Sequence, residues 1–178
     1  MSENESDNEE AQDTTVNAGI DRTEEWAALR AKYLLPAEER PASNARGVHH
    51  MVLMCSDVEE TIKFYQGVLG FPLTEIFENR DYPGSTHFFF DIGNGNLLGF
   101  FDFPGLGLGE YAEVLGGFHH VALSVNPERH AELKAGFASQ GIEIDFDFDT
   151  SVYISGPDGE RIELIADDLG TMYGQDVS

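Results

Sequence analysis

Two stretches decide how this chain reads: GVHHMVLMCSD at residues 47–57 and GFHHVALSVNP at residues 117–127. Aligning their double histidines sets them 70 residues apart. Self-similarity at a fixed spacing marks a repeated structural unit. Each apolar run alternates between two faces, as a strand does. His50, Val52 and Met54 share one face, and His120, Ala122 and Ser124 share the equivalent one. The opposite faces, Met51/Leu53 and Val121/Leu123, are bulkier and suit packing against helices.

A helix start follows each stretch. Ser56 and Glu59 form an S-x-x-E capping-box pattern ahead of Ile62, Phe64, Tyr65 and Leu69. In the second copy Asn126 is a good N-cap and Pro127 a good first helical residue, with Leu133 and Phe137 beyond. Gly70 and Gly141 close the two helices. Further on, THFFFDIGNGNLLGFF (86–101) aligns with TSVYISGPDGERIELI (150–165) at an offset of 64. Both read as strand, Gly-rich turn and strand, hence as hairpins. Another strand is expected before each, at Leu73–Phe77 and Ile142–Phe146. The predicted fold is α+β: two paired βαβββ modules (46–104 and 116–168) forming a curved mixed sheet, preceded by an N-terminal helix. A Gly-rich bridge, FDFPGLGLGEYAEVL (102–116), joins the modules.

Outside the modules, residues 1–45 read as an acidic leader with a helix at about 22–34, and 169–178 as a tail. Thr23 is the expected cap of that helix, and Trp26, Leu29 and Tyr33 share a stripe suited to a partner contact. The chain has 178 residues, 33 acidic and 10 basic, for a net charge of −23. Residues 1–45 hold 11 acids and 4 bases, which leaves 22 acids and 6 bases for the rest. Such a field repels phosphate backbones and anionic lipid, so no nucleic-acid or membrane partner is expected. An acidic, Lys-poor surface suits either a high-salt interior, where screening relieves self-repulsion, or an ordinary acidic cytosolic protein with an acidic tail. The single cysteine excludes a disulfide framework and a Cys-cluster zinc site. The acidic N-terminus is unlike a secretory leader, and the expected location is cytoplasmic.

Glu163 lies between Ile162 and Leu164 in an apolar strand, where a carboxylate is costly unless paired or bound to a metal. Two readings fit. His50, His120 and Glu163 form a facial set of two imidazoles and one carboxylate with open positions, suited to Fe(II), Mn(II) or another divalent ion. Alternatively, each is a satisfied polar residue of a strand. The first-module equivalent of Glu163 is Gly99, which offers no ligand.

These residues carry a resemblance. HHMVLMCSDVEETIKFYQGVLGF (49–71), HHVALSV (119–125) and SVYISGPDGERIEL (151–164) are similar to the vicinal oxygen chelate superfamily of glyoxalases, extradiol dioxygenases and bleomycin and fosfomycin resistance proteins. The resemblance implies paired modules around one divalent metal, with His50, His120 and Glu163 on the ligand positions. Gly99 stands where glyoxalase-type isomerases place a fourth ligand. The resemblance therefore implies a mononuclear Fe(II) dioxygenase-like oxidoreductase acting on a small aromatic or apolar substrate. Mn(II), Zn(II) and Ni(II) are the other candidate metals, and a homodimer is the expected assembly. Tyr153, which the resemblance directs into the cavity and which reads equally as a packed side chain, and His87, which shares a face with Phe89, are the candidate proton-transfer groups. His87 reads equally as a packing histidine of an aromatic strand. The extradiol acid–base histidine is missing upstream of Tyr153, where Ile144, Asp145 and Phe146 stand, and Gly156 replaces an expected Asp. Alternatives are a metal-dependent lyase or isomerase, a thiol transferase, and a drug-binding resistance protein without catalysis. Too few bases cluster to hold a phosphonate. His49 and His119 are expected to support their neighbours or face a partner rather than bind metal, His130 to be solvated, and Cys55 to be packed.

Overall fold

The computed structural model describes residues 20–172 and 174–177. The expected leader before residue 20 lies outside them. The chain divides between Ala42 and Ser43. The N-terminal unit carries α1 (Thr23–Tyr33) and a single 3₁₀ turn at Ala37–Glu39. Thr23 is the first helical residue rather than the cap, because its N–H bonds the Asp21 carboxylate at 2.9 Å. No residue of α1 is buried, Trp26, Leu29 and Tyr33 included.

The larger unit contains the two βαβββ modules. In the first, β1 (His50–Cys55) leads to α2 (Val58–Ile62), then β2 (Leu73–Glu78), β3 (Thr86–Asp91) and β4 (Leu97–Asp102). In the second, β5 (Val121–Ser124) leads to α3 (Pro127–Phe137), then β6 (Ile144–Asp147), β7 (Ser151–Ser155) and β8 (Arg161–Ile165). Each module forms its own mixed four-stranded sheet, ordered β1-β4-β3-β2 and β5-β8-β7-β6, with the first pair parallel in each. A short antiparallel pair, β9 (Thr171–Met172) and β10 (Gln175–Asp176), follows where a plain tail was expected.

Local chemistry explains the helix ends. Asp57, not Ser56, caps α2, since its carboxylate accepts from the Glu60 N–H at 2.9 Å. A carboxylate at the helix N-terminus also opposes the positive end of the macrodipole. Asn126 caps α3 as expected, with Pro127 in its first turn. Beyond α2 the chain widens into π-type turns over Lys63–Val68 and then closes at Gly70 with φ of 77°. Gly141 closes the second helical segment with φ of 73°, a region that only glycine enters without strain.

The core forms between the sheets and their helices. Val121 and Leu123 are buried while Ala122 and Ser124 are exposed, which is the period-two pattern expected of β5. Phe88, Phe90 and Phe100 from β3 and β4 pack with Tyr65 from the helical segment, at centroid separations of 4.8–5.9 Å. Each buried ring contributes about 1.5–3 kcal/mol of transfer free energy. His130 is a correction: it is buried on α3 beside Leu133 and Phe137 rather than solvated, and among the described residues its Nε2 has no hydrogen-bond partner. The helical period places residue 130 on the stripe of 133 and 137, which faces the sheet. Among the described residues, no helix is long and apolar enough to cross a membrane.

Candidate metal and substrate site

Strand register reproduces the internal repeat at the level of individual residues. In the first module Val52 pairs with Gly99, and Gly99 pairs with Phe89. In the second, Ala122 pairs with Glu163, and Glu163 pairs with Tyr153. The rib Val52–Gly99–Phe89 is thus the counterpart of Ala122–Glu163–Tyr153. His50 opens β1, whereas His120 sits one residue ahead of β5.

The second rib carries the polar chemistry. His120 Nε2 lies 3.0 Å from Glu163 Oε2. The Ser151 hydroxyl donates to the other carboxylate oxygen, Oε1. Glu163 is only 7% exposed, so both contacts compensate a carboxylate drawn out of water. His119 and His120 face each other through their Nδ1 atoms at 2.7 Å, and their rings meet edge-on. Arg161 reaches His119 Nε2 at 3.1 Å and Glu113 Oε1 at 2.6 Å. His119 therefore supports its neighbour, as expected. Tyr153 is half-buried, its ring 5.4 Å from that of His120.

The first rib is apolar where the second is polar. A Cβ built on Gly99 would stand 2.8 Å from the Phe89 ring, so that ring fills the place of a side chain at residue 99. His50 pairs with His49 through Nδ1 at 2.9 Å and lies edge-on to Phe89 at 6.0 Å. His87 shares the face of Phe89, as expected, and its ring lies 4.2 Å from Phe89 and 4.0 Å from Phe101. Burial, and then the nearby His50, push its pKa below the ordinary imidazole value. Both effects favour the neutral imidazole of His87, and among the described residues its buried Nε2 has no hydrogen-bond partner.

Of the expected metal set, the structure brings His120 and Glu163 together. Among the described residues, it gathers no group of three or more His, Cys, Asp and Glu side chains, so His50 stays outside that pair. A cavity of about 720 Å³ borders His120 and is lined by Val52, Met54, Phe103, Phe118, Asp158 and Glu160 among others, whereas Tyr153, expected to face the cavity, is not among its lining residues, nor are His50, His87 and Glu163. Glu160 explains Gly156: a Cβ there would stand 2.0 Å from the Glu160 carboxylate. Cys55 is packed, and burial pushes its thiol up to about 12. Ser151, Arg161 and Glu113 escaped the sequence reading. For Ser151 the signal was present, since it aligns with His87 at the offset of 64. Glu113 lies in the bridge and has no repeat counterpart to mark it.

A family model described as the Glyoxalase/Bleomycin resistance protein/Dioxygenase superfamily matches residues 47–164. Two curated proteins of Bacillus subtilis (strain 168), assigned as ring-cleaving dioxygenases, are similar to part of the chain. MhqE is 39% identical over 66 residues, which is 35% of this chain and 22% of that protein. MhqA is 34% identical over 61 residues, which is 33% and 19% respectively. The matched segments thus span about a fifth of those relatives. Among solved structures, glyoxalase I of Leishmania major superposes with a TM-score of 0.57 at 23% identity, covering 68% of this chain and 86% of that one. The fosfomycin resistance protein FosX of Listeria monocytogenes, solved with Mn(II) and 1S,2S-dihydroxypropylphosphonic acid, gives 0.55 at 20% identity, covering 70% and 95%. At these identities the structural likeness concerns the fold.

Proposed function

Given that this chain belongs to the glyoxalase/bleomycin resistance protein/dioxygenase superfamily, we propose that it is a mononuclear divalent-metal enzyme, an Fe(II) dioxygenase-like oxidoreductase acting on small aromatic or apolar substrates. The observation that carries the reading is the His120–Glu163 pair: an imidazole Nε2 and a buried carboxylate oxygen 3.0 Å apart, with Ser151 holding the second oxygen. Nitrogen and oxygen donors of this kind suit Fe(II), and also Mn(II), Zn(II) or Ni(II). His50, at the same repeat position as His120, is the third ligand of this reading. When bound, Fe(II) supplies Lewis acidity and electrons for reaction with O₂.

The chain's own residues supply the rest. Phe89 occupies the Gly99 position, which favours a three-ligand site over the four-ligand sites of isomerases. The apolar side chains of Val52, Met54, Phe103 and Phe118 in the cavity beside His120 are the surface that receives an aromatic ring. Tyr153 stands next to His120 and is the hydroxyl that orients a substrate oxygen. His87, whose neutral imidazole is favoured, is the group that accepts a substrate proton. The ligand is a small molecule, and the assembly is a homodimer, for which the exposed aromatics Phe77, Phe146 and Phe148 on β2 and β6 and just beyond it supply apolar surface.

The test is metal analysis of protein purified anaerobically, then Fe(II) reconstitution and oxygen uptake on a panel of catechols. We expect one metal per chain, lost in His120→Ala and Glu163→Gln. Metal binding without oxygen uptake would transfer the chain to the lyase, isomerase or transferase chemistry of the family. Ligand binding that survives both substitutions would mark a binding protein without catalysis.

A further inference from the structure

From Phe103 to His120 the chain that joins the modules forms neither helix nor strand. Every residue from Pro104 to His119 is exposed, although Leu106, Leu108, Val114, Leu115 and Phe118 are apolar. A segment that buries so little has low local stability. Its own bonds are short-range. The Leu106 N–H donates to the Phe103 carbonyl, the Gly117 N–H to that of Val114, and the Tyr111 hydroxyl to those of Phe118 and His119. The ion pair of Glu113 with Arg161, at 2.6 Å, ties the segment to the start of β8. Gly105 and Gly116 stand near its two ends at φ of 82° and 85°, where a side chain would be strained. A Cβ at either would meet nothing within 4 Å, so the backbone turn rather than packing requires glycine there.

The same segment forms one side of the cavity beside His120. Leu108, Tyr111 and Phe118 line it from the bridge, and Met54 lines it from β1. These apolar linings are still wet: Leu108 is 48% exposed, Phe118 55% and Met54 58%. The charged lining is acidic. Asp102, Asp158 and Glu160 border the cavity, while the guanidinium of Arg161 on the same lining is committed to Glu113. Such a wall repels carboxylates, sulfonates and phosphonates. We propose that the bridge is a strap, latched by Glu113 and Arg161, that closes over an uncharged aromatic molecule held in the cavity beside His120.

The driving force is apolar burial. An aromatic ring between Met54 on one side and Leu108 and Phe118 on the other takes all three side chains out of water as the strap closes. A ligand that binds the closed arrangement better than the open one shifts the population towards it. The Glu113–Arg161 pair keeps the strap near the cavity in either arrangement, because it holds the bridge midway between the two glycine turns. The strap deepens the substrate reading above and rests on it for the placing of an aromatic molecule in this cavity. No metal takes part in the closure.

The experiment uses the full metal-free chain, with 2-naphthol as the uncharged probe and its anionic counterpart 2-naphthoate as the comparison. Calorimetry reads binding, and chymotrypsin digestion with mass spectrometry reads the strap. Saturating 2-naphthol should slow cleavage between residues 104 and 119 about 10-fold. Cleavage at Tyr33 and Leu34, exposed in the N-terminal unit, should not change, which controls for inhibition of the protease. 2-Naphthoate should bind at least about 10-fold more weakly. Without probe, Glu113→Gln and Arg161→Met should each speed strap cleavage about 2- to 5-fold, and the double variant no more than either. Binding of 2-naphthol with an unprotected strap overturns the closure and leaves the cavity as a binding site. Absence of binding, or equal binding of 2-naphthoate, overturns the ligand class and with it the proposal. Strap cleavage unchanged in both folded variants overturns the latch. Cleavage that slows with protein concentration alone would show that a second copy covers the strap, and also overturns it. A protected strap in a protein without metal or oxygen uptake would sink the enzyme reading and sustain the strap.

Discussion

The Tyr65 hydroxyl donates a 2.7 Å hydrogen bond to the Glu160 carboxylate, and both side chains are buried. The bond joins the helical segment of the first module to the hairpin turn of the second. A second bond, from the Ser56 N–H to Asp158 at 3.0 Å, runs beside it. Burial raises the Glu160 pKa above its ordinary value of 4.5, against the lowering effect of the Tyr65 hydrogen bond.

A group whose folded-state pKa is raised contributes stability that is full below its unfolded value and is lost as pH rises through the folded value. The difference in unfolding free energy between wild type and Glu160→Gln should therefore shift against wild type as pH climbs from 4.5 towards neutrality. Denaturant melts of both proteins from pH 4 to pH 7 measure it, and a pH-independent difference would falsify the assignment. Tyr65→Phe, which leaves the carboxylate short of a donor, should cost about 1–3 kcal/mol at pH 7.

Gly99 is a packing requirement. An added Cβ would meet two Phe89 ring atoms at 2.8 and 2.9 Å. Gly99→Ala should destabilise by about 1–3 kcal/mol through overpacking. Shrinking the ring in Gly99→Ala/Phe89→Leu should recover part of that loss relative to Phe89→Leu alone. Strict additivity of the two substitutions would show that the ring and residue 99 do not compete for space.

Ser151 orients the carboxylate of the candidate metal pair. Ser151→Ala should lower divalent-metal affinity about 10-fold while leaving the fold intact. Calorimetric titration of Zn²⁺, with circular dichroism as the folding control, decides it. Equal affinity in a folded variant would remove Ser151 from the site.

Cys55 should resist modification. Its thiol is buried and held at about 12, so the reactive thiolate is scarce at pH 8. A disulfide-exchange reagent should label it only in denaturant. Rapid labelling of the native protein would show that the β1 end opens readily.

The fold was legible because its signals are local and occur twice. Alternation in HHMVLMC and HHVALSV, the Gly-rich turns and the offset of 64 predict two hairpins and two crossover helices without any long-range information. Cap identity was less legible, since Ser56 and Asp57 are both competent and only the backbone path selects Asp57. His130 was misplaced because its charged sequence neighbours suggest solvent, while the helical phase turns its ring into the core.

By itself the sequence determined the composition of the site: two histidine pairs, one acid set in an apolar strand, and a glycine at that acid's repeat position. Only the tertiary structure decided how those groups are held. Ser151 bonds Glu163 across a strand pair, Arg161 reaches His119 from the start of β8, and Phe89 fills the space above Gly99. The physical reason is range. Periodicity and capping act over a few residues and can be read along the chain, whereas a hydrogen bond between residues 12 or 42 apart exists only once the strands have paired.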